Sequence, residues 1–332
     1  MKIALDAMGG DYAPEVTVAG AIEAVNEYDI EVVLVGDREQ LEESLSDKKY
    51  PADRITIHHS SEVVLIEDQA SVAIRKKKDS SVRSAIELVK EGAADAVVSA
   101  GHSGATMATA LYVLGKIKSV DRPAIATKMP SLEGFFILLD AGANVDCKPE
   151  NLRQFSLMGN AYAETVYGVK NPRVALLSIG EEDTKGNELT KEAFKLIKSL
   201  DVNFIGNIEG KDIFHGGADV VVCDGFIGNI VLKVAEGLAE SIIKMLKREV
   251  ARAATGRIGY LMLKSTLKNF RKQTDYSEHG GAPLLGINGV CLISHGRSTS
   301  KAIKNAIRTA SEMAACRVHE AIARSLDLKQ KS

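Results

Sequence analysis

Short apolar runs alternate with longer amphipathic segments along most of this chain. The short runs predict strands at 2–5, 31–35, 55–58, 96–98, 124–127, 135–139, 173–178, 203–208, 220–223 and 290–294. The segments between them predict helices at 14–28, 80–91, 104–114, 148–167, 187–199, 230–252 and 300–325. Because strands and helices alternate, we expect a mainly parallel sheet that helices cover on both faces.

Two stretches depart from that alternation. Pro130 and Gly134 separate the runs at 124–127 and 135–139, which predicts a hairpin inserted among crossover units. Residues 253–280 carry no strand signal and form a basic, apolar excursion. No Pro- or Ser-rich linker divides the chain, so residues 1–332 are expected to form a single domain of two lobes that share the sheet.

Five predicted strands end in loops that combine glycine with a carboxylate, amide or hydroxyl group. These loops lie at 6–11, 99–104, 140–144, 178–187 and 224–229. In an open α/β sheet, ligands bind at the carboxyl ends of the strands, so we expect the five loops to converge on one site. Glycine allows close approach of backbone N–H groups, and helix N-termini favour anions, so the composition suits a small oxyanion. The alternative is that each glycine only closes a strand-to-helix turn.

The loop at 99–104 is dense in hydrogen-bond donors. Ser103 and the N–H groups of the following first turn are predicted to face a bound anion. The alternative role for Ser103 is to cap that helix. His102 is a candidate donor or acid, and its alternative is simple solvation.

The loop at 178–187 places three carboxylates, at 181–183, beside Lys185. Lys185 is predicted to supply positive charge to a phosphate or a developing oxyanion, with the acidic neighbours holding its ammonium group. The alternative is a solvated acidic loop that caps a helix starting near Asn187.

The loop at 224–229 offers the Asn229 amide at a predicted helix start, with Asp224 nearby. Lys233 follows four residues after Asn229, on the same helix face. An ordinary N-cap is the alternative role for Asn229. The glycine-rich stretch at 280–286 has no charge, so it is either a wall for an acyl chain or a plain connector.

Composition narrows the class of protein. The 332 residues are 45% hydrophobic and carry a net charge of -2, which allows a large core and argues against general nucleic-acid binding. Four distant cysteines without a C-x-x-C pair disfavour a disulfide framework or a zinc cluster and fit a reducing cytosol. The first residues resemble a strand rather than a signal peptide, and no run of 18 apolar residues occurs, so a soluble protein is expected.

Several familiar motifs are absent from the sequence. No G-x-G-x-x-G follows a strand, and neither G-x-x-x-x-G-K-[ST], H-E-x-x-H nor G-x-S-x-G occurs. The seven histidines are scattered. The sequence therefore predicts no nucleotide cofactor and no metal.

Taken together, the loops resemble one family throughout. The segments concerned are Asp6-Ala-Met-Gly-Gly-Asp11, Ser99–Gly104, Asp140–Asn144 and Asp224–Asn229, together with 179–187, 206–210 and 281–286. In chain order they resemble the signatures of the fatty acyl-ACP:phosphate acyltransferases, the PlsX family. The resemblance spans residues 1 to about 325. One departure is the pair at 102–103, where Asn-Thr is common in the family, although both pairs keep a polar residue and a hydroxyl.

The resemblance implies an α/β/α sandwich related to phosphotransacetylases and isocitrate-type dehydrogenases, working as a homodimer. It implies transfer of a long acyl group from acyl carrier protein to inorganic phosphate, whose product a glycerol-3-phosphate acyltransferase consumes. We expect phosphate to attack the thioester directly, since phosphate is already nucleophilic at neutral pH and positioning and oxyanion stabilisation remain for the enzyme. Which carboxylate, if any, acts as base stays open.

The candidate site residues follow from these loops. The catalytic candidates are Lys185, Asn229 and Asp224. The candidates for substrate or phosphate binding are Asp6, Gly9, Gly10, Asp11, Gly101, His102, Ser103, Gly104, Asp140, Asn144, Asn187 and Lys233.

Residues 244–273 carry nine Lys or Arg against Glu249 alone, which would attract an acidic carrier protein or an anionic membrane. The candidate contact residues are Arg257, Tyr260, Leu263, Lys264, Leu267 and Lys268. Packing against a partner subunit or the protein's own core is the alternative. We expect a cytoplasmic protein that contacts the inner face of the cell membrane peripherally.

Two other functions compete with acyl transfer. An NAD-dependent decarboxylating dehydrogenase of related fold would need clustered aspartates and an arginine set, and only Asp219 and Asp224 lie close together near the C-terminus. A non-catalytic lipid- or carrier-binding scaffold would explain the basic segment but not the five polar loops.

Overall fold

A computed structural model describes residues 1–65, 67–68, 74–252 and 280–329 of the chain. The strands are β1 (Lys2–Asp6), β2 (Glu31–Gly36), β3 (Ile55–His59), β4 (Ala96–Ser99), β5 (Ala124–Ser131), β6 (Gly134–Leu139), β7 (Val174–Ser178), β8 (Phe204–Glu209), β9 (Val220–Val222), β10 (Ala282–Leu285) and β11 (Cys291–Ile293). The helices are α1 (Glu15–Glu27), α2 (Arg38–Leu45), α3 (Ser81–Lys90), α4 (Ser103–Val113), α5 (Pro149–Tyr167), α6 (Glu188–Lys198), α7 (Gly225–Arg252), α8 (Ser300–Ala315) and α9 (Val318–Lys329).

The described strands form one 11-stranded sheet in the order β3-β2-β1-β4-β11-β10-β5-β6-β9-β7-β8. Seven of the ten pairings are parallel. The antiparallel pairings are confined to β11, β10, β5 and β6 in the middle of the sheet. The mainly parallel sheet and the hairpin formed by β5 and β6 are therefore confirmed.

Those central pairings reverse the direction of the strands. Three successive antiparallel steps separate β11 from β6, so the block β3-β2-β1-β4-β11 and the block β6-β9-β7-β8 run in opposite directions. The carboxyl ends of the two blocks therefore point to opposite edges of the sheet. The division of residues 1–332 into two lobes stays a prediction.

Strand alternation explains the three layers. In β1, Ile3 and Leu5 enter one apolar cluster while Ala4 enters the cluster on the opposite face. In β6, Ile137 and Leu139 join the same large cluster as Ile3, whereas the intervening residues face α7. Helices α1, α2, α5, α6, α8 and α9 cover the first face, and α3, α4 and α7 cover the other. Because the strands are buried on both faces, they appear in the sequence as nearly continuous apolar runs.

Besides α7, which begins at Gly225 rather than near Ile230, three elements differ from the sequence prediction. Helix α2 was not predicted, since Leu41 and Leu45 are its only buried residues; Asp37 caps it, accepting from the Gln40 N–H at 3.0 Å. The predicted helix at 300–325 is divided between α8 and α9, where Arg317 adopts a positive φ of 49°. The stretch at 280–286 contains β10, a largely buried strand, so it is not a plain connector, and a role as a wall for an acyl chain stays a prediction.

Candidate active site

The carboxyl ends of β1 and β4 lie side by side, which brings Asp6 against the loop after β4. The Ser99 hydroxyl donates to Asp6 Oδ2 at 2.7 Å, and the Gly101 N–H donates to Ser99 Oγ at 3.2 Å. Asp6 is only 2% exposed, and this burial raises the pKa of its carboxyl, against the lowering effect of nearby hydroxyls such as that of Ser81. Asp6 thus links the first two of the five loops.

Gly9 lies where no side chain fits. A Cβ on Gly9 would lie 2.4 Å from Asp6 Oδ2 and 2.8 Å from the Gly101 nitrogen. The loop after β1 can therefore approach the loop after β4 only because this position is glycine.

The end of the loop after β1 contacts the segment after β11. Gly10 has a φ of +117°, a backbone conformation that favours glycine. The Asp11 N–H donates to the Gly296 carbonyl at 2.8 Å, and Asp11 Oδ2 lies 3.9 Å from the Arg297 guanidinium. Gly10 and Asp11 are thus fixed against this neighbouring segment.

Helix α4 is capped by His102, not by Ser103. His102 Nδ1 accepts from the Ala105 N–H at 3.0 Å, and the exposed Ser103 is the first helical residue. Within the part of the chain that the structure describes, the N–H groups of His102, Ser103 and Gly104 have no hydrogen-bond partner. The turn therefore presents unpaired donors at the positive end of a helix, which is an arrangement that binds anions.

Asp140 organises the loop after β6. Its Oδ1 accepts from the N–H groups of Ile125, Gly142 and Ala143 at 3.0, 3.1 and 2.9 Å. Its Oδ2 accepts from the backbone N–H and the side-chain amide of Asn144 at 2.7 and 2.9 Å. Asp140 is fully buried, and burial raises the pKa of its carboxyl while these hydrogen bonds oppose the shift. Both oxygens of Asp140 are occupied in shaping the loop.

The first turns of α7 pack directly on this loop. A Cβ on Gly228 would lie 1.8 Å from the Asp140 carbonyl oxygen, so only glycine permits the contact. One residue further on, Asn229 Oδ1 lies 3.6 Å from the position that a Cβ would take on Gly142. The Asn229 side chain is therefore held beside the loop after β6.

Helix α7 starts earlier than the sequence predicted. It begins at Gly225 rather than near Ile230. Asp224 caps it, accepting from the Ile227 N–H on Oδ1 at 2.9 Å. Capping, the alternative role of Asn229, is therefore wrong, and the Asn229 amide is not needed to cap the N-terminus of α7.

The two candidate lysines differ in their ion pairs. Lys233 Nζ lies 2.9 Å from a Glu236 carboxylate oxygen. Lys185 is exposed, and no carboxylate among the described residues forms an ion pair with it. Asp183, which was expected to help hold Lys185, pairs with Lys198 at 2.9 Å instead. The Lys185 ammonium is therefore available to a ligand.

Asn187 has the structural role that the sequence offered as its alternative. Its Oδ1 accepts from the Thr190 N–H at 2.9 Å and caps α6. Lys185 is positioned over Gly180, because a Cβ there would lie 2.7 Å from Lys185 Cγ.

The described contacts gather the candidate residues into two clusters. The first joins the loops at 6–11 and 99–104, and the second joins those at 140–144 and 224–229. Since the strands that carry the two clusters run in opposite directions, strand direction does not bring all five loops to one edge, as the sequence argument assumed. One site built from all five loops stays a prediction.

Two hydroxyl residues were missed by sequence reasoning. Thr106 Oγ1 lies 3.3 Å from Ser99 Oγ, and Ser81 at the start of α3 lies close to Asp6. The spacing of Thr106, four residues after His102 on a helix, could have indicated its position facing the loop. Ser81 carries no such signal, because it comes from a distant part of the chain.

The predicted membrane or carrier contacts belong to a different part of the chain from the loops. The candidate membrane or carrier residues Arg257, Tyr260, Leu263, Lys264, Leu267 and Lys268 lie outside the described residues. Within the described ranges, no helix combines the length and apolar character needed to cross a membrane. No group of three or more His, Cys, Asp or Glu side chains among the same residues could hold a metal ion.

Comparison with known proteins covers nearly the whole chain. A family profile described as "fatty acid synthesis protein" matches residues 1–321. The curated "Phosphate acyltransferase" of Thermodesulfovibrio yellowstonii is 59% identical over 327 residues, which cover 98% of this chain and 94% of that protein. The protein of the same name from Geobacter sulfurreducens is 53% identical over 327 residues, with the same coverage.

Solved structures show the same architecture at low sequence identity. A phosphotransacetylase from Streptococcus pyogenes matches with a TM-score of 0.66 and 20% identity, covering 95% of this chain and 94% of that one. A branched-chain phosphotransacylase from Enterococcus faecalis matches with a TM-score of 0.58 and 14% identity, covering 95% and 99%. These likenesses establish the fold, an α/β/α sandwich of the phosphotransacetylase type.

Proposed function

The chain belongs to the fatty acid synthesis protein family, and we propose that it transfers a long-chain acyl group from acyl carrier protein to inorganic phosphate. The observation that carries this proposal is the 59% identity, over 98% of the chain, to a protein named phosphate acyltransferase. Fold likeness alone would not carry it, because one architecture hosts many reactions.

The proposed reaction is a direct displacement. A phosphate oxygen attacks the thioester carbonyl carbon, a C–O bond forms, and the carbonyl oxygen becomes an oxyanion. When the oxyanion collapses, the C–S bond breaks and the carrier thiolate leaves and takes a proton from solvent. The products are an acyl phosphate and free carrier protein, and no redox step or covalent enzyme intermediate is needed.

The site residues support this chemistry in two ways. The unpaired N–H groups at 102–104 offer an anion-binding turn at the start of α4. Lys185, which has no ion-pair partner among the described residues, supplies a cation for the developing negative charge. Asn229, held beside the loop after β6, is an uncharged donor for the same charge.

The same proposal extends to partners. We propose that the chain works as a cytoplasmic homodimer, and that its acyl phosphate passes to a glycerol-3-phosphate acyltransferase. Helix α7 supports an additional contact surface, since it exposes Ile230, Val234, Leu238 and Ile242 at four-residue intervals along one side. Monomeric proteins rarely expose an apolar stripe of this length. It leads toward the basic segment at 253–280, for which we propose peripheral contact with an anionic membrane.

The reaction is tested with palmitoyl-ACP and inorganic phosphate. Hydroxylamine converts acyl phosphate to a hydroxamate that can be quantified, and free carrier protein is followed on a conformation-sensitive gel. We expect both products in equal amounts, only when phosphate is present. Carrier release that continues at the same rate without phosphate would identify a thioesterase and contradict the proposal.

A parallel arm separates acyl transfer from the dehydrogenase alternative. The protein is incubated with NAD and a set of hydroxy acids, and absorbance of reduced nicotinamide is recorded. We expect no reduction, and reduction at rates comparable with acyl transfer would favour the alternative.

A further inference from the structure

Asn207, a residue of β8, contacts the turn that carries Lys185. Its Nδ2 donates to the Glu182 carbonyl oxygen at 2.9 Å. The Lys185 N–H donates to the same oxygen at 2.9 Å and closes the turn at 182–185. One carbonyl oxygen therefore connects the Lys185 turn to the neighbouring strand.

The stem of Lys185 is fixed to this turn. Lys185 Cγ lies 2.7 Å from the position that a Cβ would take on Gly180. On the other side of the turn, a Cβ on Gly186 would lie 3.0 Å from Ser178 Oγ, at the carboxyl end of β7. The two glycines allow the turn to fold closely against the end of the strand. A displacement of the turn therefore displaces the Lys185 side chain with it.

Asn207 holds the turn from the protein interior. Its side chain is buried, with the residue only 9% exposed, so water competes little for its hydrogen bond. The ion pair between Asp183 and Lys198 also connects the turn to α6, but these side chains are 61% and 63% exposed. Exposed ion pairs contribute little to stability. The hydrogen bond from Asn207 is therefore the stronger of these two contacts.

An irregularity in β8 directs Asn207 toward the turn. Phe204 pairs with Val174, but the next residue of β7 pairs with Gly206, so β8 has one extra residue here. Gly206 has a φ of +99°, which favours glycine. In a regular strand Phe204 and Ile208 would face the same side, yet they pack in clusters on opposite faces of the sheet. The extra residue thus turns Asn207 to the face that α6 covers, as bulges beside functional sites often do.

We propose that Asn207 is a positioning residue for Lys185, and that it holds the turn at 182–185 so that the Lys185 ammonium meets the negative charge that develops during acyl transfer. The inference rests on the proposed function, because it explains how the proposed cation is placed. Asn207 acts through the Glu182 carbonyl and through Lys185. Its Oδ1 has no hydrogen-bond partner among the described residues, so the amide contact that a variant must remove is the one from Nδ2.

The test is a double-mutant cycle with Lys185, in which the hydroxamate assay gives kcat at saturating phosphate and acyl-ACP. Asn207→Asp keeps the shape of the side chain but replaces Nδ2 by an oxygen, which cannot donate to a carbonyl. We expect kcat to fall by roughly 10²-fold, the effect of a displacement of about 1 Å. In a Lys185→Ala background the same substitution should change kcat by less than about three-fold, because the group that Asn207 positions is gone.

Asn203 provides the matched control, since it precedes the same strand. Its Nδ2 donates to the Asn171 carbonyl at 3.1 Å, at the end of β8 that lies away from the turn. Asn203→Asp therefore makes the same chemical change to the same kind of hydrogen bond. Its kcat should equal that of wild type. A loss as large as that of Asn207→Asp would attribute the effect to the added charge and overturn the inference.

Asn207→Ala keeps the test valid if a buried carboxylate prevents folding. Alanine removes the donor without adding charge, and circular dichroism verifies that each variant is folded. We expect the same dependence on Lys185 as for Asn207→Asp. Hydrogen exchange measured by mass spectrometry examines the turn itself, and peptides that span 180–187 should exchange faster in either variant, whereas those from β1 and β4 should not.

The outcomes separate this inference from the proposed function. Equal losses of kcat with and without Lys185 would show that Asn207 only supports the fold and would overturn the inference. Wild-type kcat in a folded Asn207 variant, or in Lys185→Ala, would overturn it as well. The proposed function stands in each case if wild-type carrier release requires phosphate. Carrier release that ignores phosphate would instead overturn the proposed function.

Discussion

Replacement of Gly228 tests the contact between α7 and the loop after β6. A Cβ at this position would lie 1.8 Å from the Asp140 carbonyl oxygen. Ordinary carbon–oxygen contacts are about 3.3 Å, so in Gly228→Ala the first turn of α7 must retreat by about 1.5 Å. The retreat carries Asn229 away from Gly142, and with it the donor that we assign to the transition state.

The size of the effect follows from two opposing contributions. Alanine in a helix gains about 1 kcal/mol over glycine, whereas overpacking costs about 1–3 kcal/mol. Because Asp140 is held by hydrogen bonds to five donor groups, the loop cannot yield easily, and we expect the upper end of that cost. The free energy of unfolding should fall by about 1–2 kcal/mol, and acyl transfer by roughly 10²-fold, since a displacement of about 1 Å costs that much in well-ordered sites.

Gly237 provides the matched control in the same helix. A Cβ on Gly237 meets nothing within 4 Å, so Gly237→Ala should stabilise the protein by about 0.5–1 kcal/mol and leave acyl transfer unchanged. Urea denaturation followed by circular dichroism gives the stabilities, and the hydroxamate assay gives the rates. A Gly228→Ala protein with the stability and activity of wild type would refute the tight contact between α7 and Asp140.

Three further changes address other parts of the account. Lys185→Ala should lower turnover by roughly 10²–10³-fold at saturating phosphate without loss of stability, and a rate above about a third of wild type would remove Lys185 from the mechanism. Burial raises the pKa of the Asp6 carboxyl, so its ionisation opposes folding. The folded state is therefore more stable while the carboxyl is neutral at low pH, and this stability is lost as pH rises through the raised pKa. Urea denaturation at pH values from about 4 upward should therefore show a smaller decline for Asp6→Asn than for wild type, and identical pH profiles would contradict the shift. The double variant Leu263→Glu with Leu267→Glu should no longer float with anionic liposomes, while acyl transfer persists. Both residues lie outside the described residues. Unfolding of this variant, or loss of a dimer in light scattering, would show that the two leucines have a structural role instead.

The fold could be predicted where buried strands alternate with amphipathic helices. Runs such as 174–177 and 220–222 are buried on both faces, so their apolar character is plain in the sequence. Helix α2 could not be found in this way, because its exposed face is highly charged and only two leucines pack inward. The break between α8 and α9 falls at Arg317, with neither glycine nor proline to mark it.

The site could be predicted less completely. Loop composition identified Asp6, Asp140 and the residues around them, but not which oxygen pairs with which donor. The sequence offered helix capping as the alternative role of Ser103 and of Asn229, whereas His102 and Asp224 cap the two helices. A cap depends on where a helix begins, and a shift of one to five residues is enough to exchange a capping side chain for a free one. The sequence also did not show that Lys185 has no ion-pair partner among the described residues, because the pairing of Asp183 with Lys198 depends on how α6 packs.

The proposal that this chain makes acyl phosphate is tested most directly by following the phosphate oxygen. Palmitoyl-ACP is incubated with the protein and ¹⁸O-labelled inorganic phosphate, and the acyl phosphate is cleaved at phosphorus and examined by mass spectrometry. Direct attack predicts one labelled oxygen in the recovered palmitate for each carrier protein released. Palmitate without label, or carrier release in the absence of phosphate, would contradict acyl transfer to phosphate.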